Sequence, residues 1–245
     1  MVTRAGLRRA GVALAWLLVA GAAPAQPARP DLAASSRLIV AQTNELRAAH
    51  ALARTEPEAR LGAAAHAFAE YMARTDRYGH EADGSSPAQR ARAHGYDYCK
   101  VAENIAYLMN SRGFGTDELA RSVVEGWKNS PGHRKNMLDR DVVDIGVAMA
   151  QSPKSQRWYV VQMFGRPRSK AVRFSIANEA AQEVRYELGG RSFGLAPQVT
   201  RTHEQCGTAT LTIVSGAEPL SVEPVDGRHY TLERGPGSRL RLRVD

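Results

Sequence analysis

The alternation of apolar and polar residues divides this 245-residue chain into a helical first part, a strand pair and a strand-rich last part. Leu61, Ala65, Phe68, Ala69 and Met72 recur at the spacing of one face of a 3.6-residue helix, so their side chains form a core stripe. An earlier apolar set, Leu38, Val40 and Leu46, predicts a first helix over 36–54, preceded by an extended, proline-bearing leader at 26–35. Pro87 after Ser85-Ser86 suits the first position of a short third helix that Gly95 would end. A fourth helix is predicted from Thr116, with Asp117 and Glu118 at its positive end and Leu119, Val123 and Trp127 as its apolar stripe.

After Leu138 the period changes from 3.6 to 2. Val143, Ile145, Val147 and Met149 alternate with Asp144, Gly146 and Ala148, and a second alternating run covers 159–164. Both read as strands joined by a loop at 151–156. Helices first and strands after, without βαβ alternation, point to an α+β fold with helices on an antiparallel sheet. Arg166 to Ser169 reads as a linker. Beyond it, short runs at 172–176, 184–188, 209–214 and 240–244 recur between Gly, Pro and Asn, which predicts a small all-β, sandwich-like domain over 170–245.

Arg4, Arg8 and Arg9 ahead of the apolar run 10–23, followed by Ala23-Pro24-Ala25, match a signal peptide over 1–25. The run is shorter than the roughly 20 residues of a membrane span, and no Cys follows it to carry a lipid, so the expected location is secreted or periplasmic without a membrane anchor. The formal charge of +8 falls to +5 once those three arginines are removed. That modest bias suits a solvated surface facing an anionic envelope better than nucleic-acid binding. Cys99 and Cys206 are the two cysteines. An oxidising compartment permits a disulfide between them that would staple the two domains, while spacing alone leaves a reduced pair open.

The chemistry concentrates between Ala102 and Gly165, in Ala102-Glu103-Asn104-Ile105-Ala106, then Glu125-Gly126-Trp127-Lys128-Asn129-Ser130-Pro131-Gly132-His133-Arg134-Lys135-Asn136-Met137-Leu138, then Asp144-Ile145-Gly146-Val147, then a strand ending Phe164-Gly165. In that run His133 stands just past a Ser130-Pro131-Gly132 turn. With Asn44-Glu45-Leu46-Arg47 and Gly79-His80-Glu81-Ala82-Asp83-Gly84 ahead of it, this ordered set resembles the CAP superfamily in its bacterial form, the SCP-like domain of cysteine-rich secretory proteins, antigen 5 and pathogenesis-related proteins. The resemblance covers about 36–168 and implies an α-β-α sandwich for that domain. It also implies a cleft with two histidines and two glutamates that binds zinc or another divalent metal in some members, and lipid or sterol ligands in others.

Carried over by motif, His80, Glu103 and His133 are the candidate metal ligands; His133 stands thirteen residues before Gly146, as the family's histidine precedes the glycine of its next strand. The family's second glutamate falls on Ser130. Glu125, five residues earlier, points about 140° away around a helix and is a poor substitute. Bland readings stand beside these: His80 as a loop hydrogen-bonder, and Glu103 as a carboxylate favouring the positive end of a short helix. Ser130, Asn104 and Asn136 are the candidate cleft residues, Trp127 reads as core, and His50, His66 and His94 read as structural or exposed. No His-Glu-x-x-His or Gly-x-Ser-x-Gly motif occurs. The expected function is an exported module that binds a small molecule, lipid or cell-envelope component; the alternative is a metal-assisted hydrolase with Glu103 as general base.

Overall fold

The computed structural model describes residue 1 and residues 29–215, 219–235 and 239–245. Residues 2–25 of the signal peptide and 26–28 of the proline-bearing leader therefore lie outside the described residues.

The first helix, α1 (Leu32–Ala48), begins earlier than the apolar pattern suggests because Asp31 caps it, its carboxylate accepting from the Ala34 amide at 3.0 Å. The leader thus gives way to helix before residue 35. A two-residue strand, β1 (Glu56–Pro57), follows, and then α2 (Ala59–Thr75), which buries the expected stripe of Leu61, Ala65, Phe68, Ala69 and Met72. The short α3 (Pro87–Ala93) starts in a capping box in which Ser86 and Gln89 satisfy each other's backbone amides. Gly95, at φ +79°, turns the chain after it.

Next come the long strand β2 (Tyr98–Leu108), helices α4 (Thr116–Lys128) and α5 (Pro131–Met137), and strands β3 (Asp144–Gln151) and β4 (Trp158–Pro167). The four strands form a sheet in the order β1-β3-β4-β2, antiparallel except for the β1–β3 pair.

The period-2 pattern of β4 builds the layers. Trp158, Val160 and Phe164 face a core shared with α1, α4 and α5, whereas Tyr159, Val161 and Met163 face a second core shared with α2 and α3. Burial of these two apolar faces makes an α-β-α sandwich. Gly146 of β3 lies where an added Cβ would run into the backbone of Leu61 and Gly62, so the sheet and α2 approach as closely as their main chains allow.

The last part holds, among the described residues, eight strands in two four-stranded sheets. β5 (Val172–Asn178), β8 (Thr200–Gln205), β11 (His229–Arg234) and β12 (Leu240–Val244) form one, and β6 (Val184–Leu188), β7 (Arg191–Leu195), β9 (Leu211–Ile213) and β10 (Leu220–Val222) form the other. Phe174, Ile176, Tyr186, Leu188, Leu211, Tyr230 and Leu232 fill the space between them. A single turn of 3₁₀-helix, Arg168–Lys170, joins this unit to β4.

Cys99 and Cys206 are disulfide-bonded across the two parts, with Cα atoms 5.3 Å apart. Beside the bond, Asp141 accepts from the Thr208 amide at 2.9 Å and pairs with Lys100 at 3.1 Å.

Candidate functional site

β2 is an outer strand of the sheet, so both helical layers can reach around its edge. Odd-numbered residues, Glu103, Ile105 and Tyr107, lie on the α2/α3 side, whereas Asn104 reaches the α5 side. The strand register places Glu103 opposite Met163 and Asn104 opposite Gln162. Glu103 is therefore a sheet residue, and the reading of it as a helix-start carboxylate gives way: pairing with β4 along the whole segment overrides the local sequence.

Glu103 is buried. Its carboxylate accepts from Arg90 at 2.8 Å and 3.0 Å and contacts His80 Nδ1 at 2.8 Å. Arg90, buried on α3, also donates to Asp83 at 2.9 Å, to the Ser85 carbonyl at 2.6 Å and to the His80 carbonyl at 2.8 Å, and its plane covers the Phe68 ring at 3.5 Å. One guanidinium thus ties the Gly79–Gly84 loop to β2 and α2. Only its Nε lacks a hydrogen-bond partner among the buried side-chain atoms described. Nothing in the sequence marks Arg90, because folding alone brings it to Asp83 and Glu103.

His133 sits on α5, a true short helix with Pro131 in its first turn, where the sequence suggested a Ser130-Pro131-Gly132 turn. Burial and the charge of nearby His80 both hold its pKa below the ordinary histidine value, so the neutral imidazole is favoured. His80 is half exposed. His80, on the Gly79–Gly84 loop, thus lies near enough for its charge to act on His133 of α5.

The asparagines do different work from that expected. Asn104 is wholly buried, donating to the His133 carbonyl at 3.2 Å and to Gln162 Oε1 at 3.0 Å; Gln162 continues the chain to Thr43 at 2.9 Å. Asn136 donates to the Glu103 carbonyl and to Asn104 Oδ1. Both lock α5 to β2, and Asn104 is buried. Ser130 is the residue before α5, and no hydrogen bond joins it to His133 among those described. Glu125 is exposed on α4 and paired with Lys128 at 2.7 Å, away from Glu103. Trp127 is core, its Nε1 donating to the Ile105 carbonyl at 3.1 Å. His50 contacts Arg134, His66 pairs with Glu70, and His94 contacts the Arg90 carbonyl.

The Asn44-Glu45-Leu46-Arg47 motif is also structural. Arg47 is fully buried and donates to the carbonyls of Ala53, Met137, Asp139 and Val142, while Asn44 and Thr55 exchange hydrogen bonds.

A divalent cation needs carboxylate lone pairs free of competing cations, with several donors converging. Here the Glu103 carboxylate faces a guanidinium, and no group of three His, Cys, Asp or Glu side chains poised for a metal occurs among the described residues. The donor set in this arrangement does not fit a metal. A general base meets the same obstacle, because Arg90 and His80 already engage the oxygens of Glu103.

A separate groove of about 520 Å³ opens between α1, α2 and the start of β3. Val40, Ala41, Pro57, Ala59, Ile145 and Val147 line it, with Arg37, Arg54, Glu56 and Glu58 among its charged residues. Asn44 and the Ile145-Gly146-Val147 stretch of two of the motifs also line it, and at Gly62 an added Cβ would meet open space.

Comparison with known proteins reaches about half of the chain. A protein of Bacillus subtilis, uncharacterized protein YkwD, is 30% identical over 123 residues, which make up 50% of this chain and 45% of that protein. The uncharacterized membrane protein YlbC of the same organism is 29% identical over 126 residues, 51% of this chain and 34% of that protein. The chain thus spans less than half the length of these relatives. Among solved structures, an outer surface protein from Borrelia burgdorferi superposes with a TM-score of 0.47 at 21% identity, over 54% of this chain and 91% of that one. No helix of the described residues is long and apolar enough to cross a membrane. The model of the cysteine-rich secretory protein family, CAP, matches residues 40–164, just over half of the chain, and the chain belongs to that family.

Proposed function

We propose that this chain is an exported binding module rather than an enzyme, and that its ligand is a lipid-like or other largely apolar component of the cell envelope. The groove between α1 and α2 carries this reading: its lining is largely apolar, its volume falls in the range of small-molecule sites, and Arg37 and Arg54 stand among its charged residues with Glu56 and Glu58. An acyl chain would bury against Val40, Ile145 and Val147, and Arg37 or Arg54 would meet an anionic head group. Supporting it, the polar residues that resemble a catalytic set are committed to holding the fold: Glu103 by Arg90, and Asn104 and Asn136 by each other. Export rests on the N-terminal sequence pattern.

Calorimetric titration of the purified protein with a long-chain fatty acid and with a sterol tests the reading. Saturable binding of at least one is expected. Gly62→Leu, which would fill the groove where a Cβ meets no neighbour, should abolish it without unfolding the protein. Absence of binding to either, or binding indifferent to Gly62→Leu, would refute the groove as the site.

A further inference from the structure

The end of α2, the end of β2 and the β3–β4 hairpin together build a surface of arginines laid against tyrosine rings. Tyr78 and Tyr107 are both about half exposed, with relative accessibilities of 45% and 49%, although large aromatic rings are ordinarily well covered. They meet edge to face, centroids 4.9 Å apart and planes at 83°, and Tyr159 backs both at 6.4 Å. The Tyr78 hydroxyl donates to the Ile105 carbonyl at 3.1 Å, which fixes the ring rather than leaving it to swing.

One guanidinium lies against the tyrosine pair, and two more stand at the end of α2 beside Tyr71. Arg157 lies 5.0 Å from the Tyr107 centroid, Arg74 lies 5.7 Å from that of Tyr71, and Arg77 donates to the Tyr71 hydroxyl at 3.3 Å. Lys154 stands exposed on the same hairpin as Arg157. The carboxylates nearby are spoken for. Asp76 accepts from Ser155 Oγ at 2.6 Å and from the Tyr159 hydroxyl at 3.2 Å, and Glu70 pairs with His66 at 3.6 Å. Glu103, whose charge reaches Tyr78, is paired with Arg90, and Arg74, Arg77, Lys154 and Arg157 outnumber Asp76 and Glu70, which leaves the surface positive.

We propose that this Tyr78–Tyr107–Arg157 surface, with Arg74 and Arg77, docks an anionic polysaccharide that carries carboxylates on pyranose rings. A tyrosine face is electron-rich and takes the C–H face of a sugar, while guanidinium forks take carboxylates bidentately. The edge-to-face tyrosine pair presents a corner and not a parallel slot, which suits a chair-shaped ring better than a flat base. The site is distinct from the apolar groove and does not depend on it.

The full chain would be titrated with polygalacturonate, with dextran as an uncharged glycan, and with single-stranded oligothymidylate as a phosphate polyanion. Binding is expected for polygalacturonate and not for dextran, weakening in high salt as surface charge is screened. Tyr107→Ala and Arg157→Ala should each weaken it about fivefold or more, roughly the effect of an exposed cation–ring contact together with its ion pair. Arg191→Ala, the same charge change on β7 in the C-terminal unit, should leave it unaltered. Failure to bind polygalacturonate, equal loss on Arg191→Ala, indifference to Tyr107→Ala, or tighter binding of oligothymidylate would each overturn the proposal. Fatty-acid binding lost through Gly62→Leu with polygalacturonate binding kept would separate the two sites.

Discussion

Arg90 spans both oxygens of Glu103 at 2.8 Å and 3.0 Å from within a site where each side chain is almost inaccessible to water. Such a pair is costly to form and costlier to break, because removing one partner strands the other charge in a medium that cannot solvate it. Arg90→Met is therefore expected to destabilise the fold by about 3–5 kcal/mol. Arg90→Met with Glu103→Gln should recover part of the loss. Denaturant midpoints of the two single variants and the double variant measure this; purely additive losses would show that the pair is not coupled.

Acid should loosen the region around α5. Burial and His80 lower the His133 pKa from 6.5 in the unfolded chain, so the unfolded state takes up the proton first as pH falls. The associated stability is complete above about pH 6.5 and is lost as pH falls below it towards the depressed folded value. His203, lowered by burial and by Arg201, acts in the same direction. Thermal unfolding followed from neutral to mildly acidic pH should show a falling midpoint, and His133→Gln should flatten part of that fall. An unchanged slope in the variant would remove His133 from the account.

At Gly146 a single methyl group should be expensive. With α2 backbone directly over the Cα, Gly146→Ala forces the helix or the strand to move, at about 1–3 kcal/mol or more for an overpacked core. Gly62→Ala, beside open space, is the natural contrast: there the helix gains propensity and meets no clash. If both alanines had equal effects on melting temperature, close approach would not be the reason for the glycine on β3.

Reduction should weaken the molecule as a whole. Cys99 and Cys206 are separated by 107 residues, and closing a loop of that order is worth about 4–5 kcal/mol in the chain-entropy account. The Cys99→Ser, Cys206→Ser double variant should unfold at lower denaturant, and limited proteolysis near the 168–170 turn should then release two fragments that the native protein keeps together. Proteolytic fragments that stay associated without the bond would place the cohesion in the Asp141–Thr208 and Lys100–Asp141 contacts instead.

Long elements are legible in the chain because burial imposes one period over many residues: the α2 stripe and the alternation of β4 name their own faces. Short or edge-bound ones are not. The seven residues of α5 are too few for a period, and Pro131 starts a helix as readily as it makes a turn. Asp31 caps α1 ahead of its first core residue, beside a Leu32 that stays exposed and joins no apolar stripe. Glu103 stands out through its motif, but its partner does not, since Arg90 sits thirteen positions away on another element and only the fold makes them neighbours. The groove is not legible in the sequence because its lining, from Arg37 to Val147, comes together from α1, α2 and β3 only in the fold.

The disulfide also sets a route for force. Cys99 lies at the beginning of β2, four residues before Glu103 on the same strand, so a pull on the C-terminal unit enters the sheet through that strand as well as through the 168–170 turn. β2 is hydrogen-bonded along nearly its whole length to β4, and a load applied along an antiparallel pair is shared by many bonds at once. Tension between the two parts would therefore fall on two neighbouring, hydrogen-bonded strands, β2 through the disulfide and β4 through the turn.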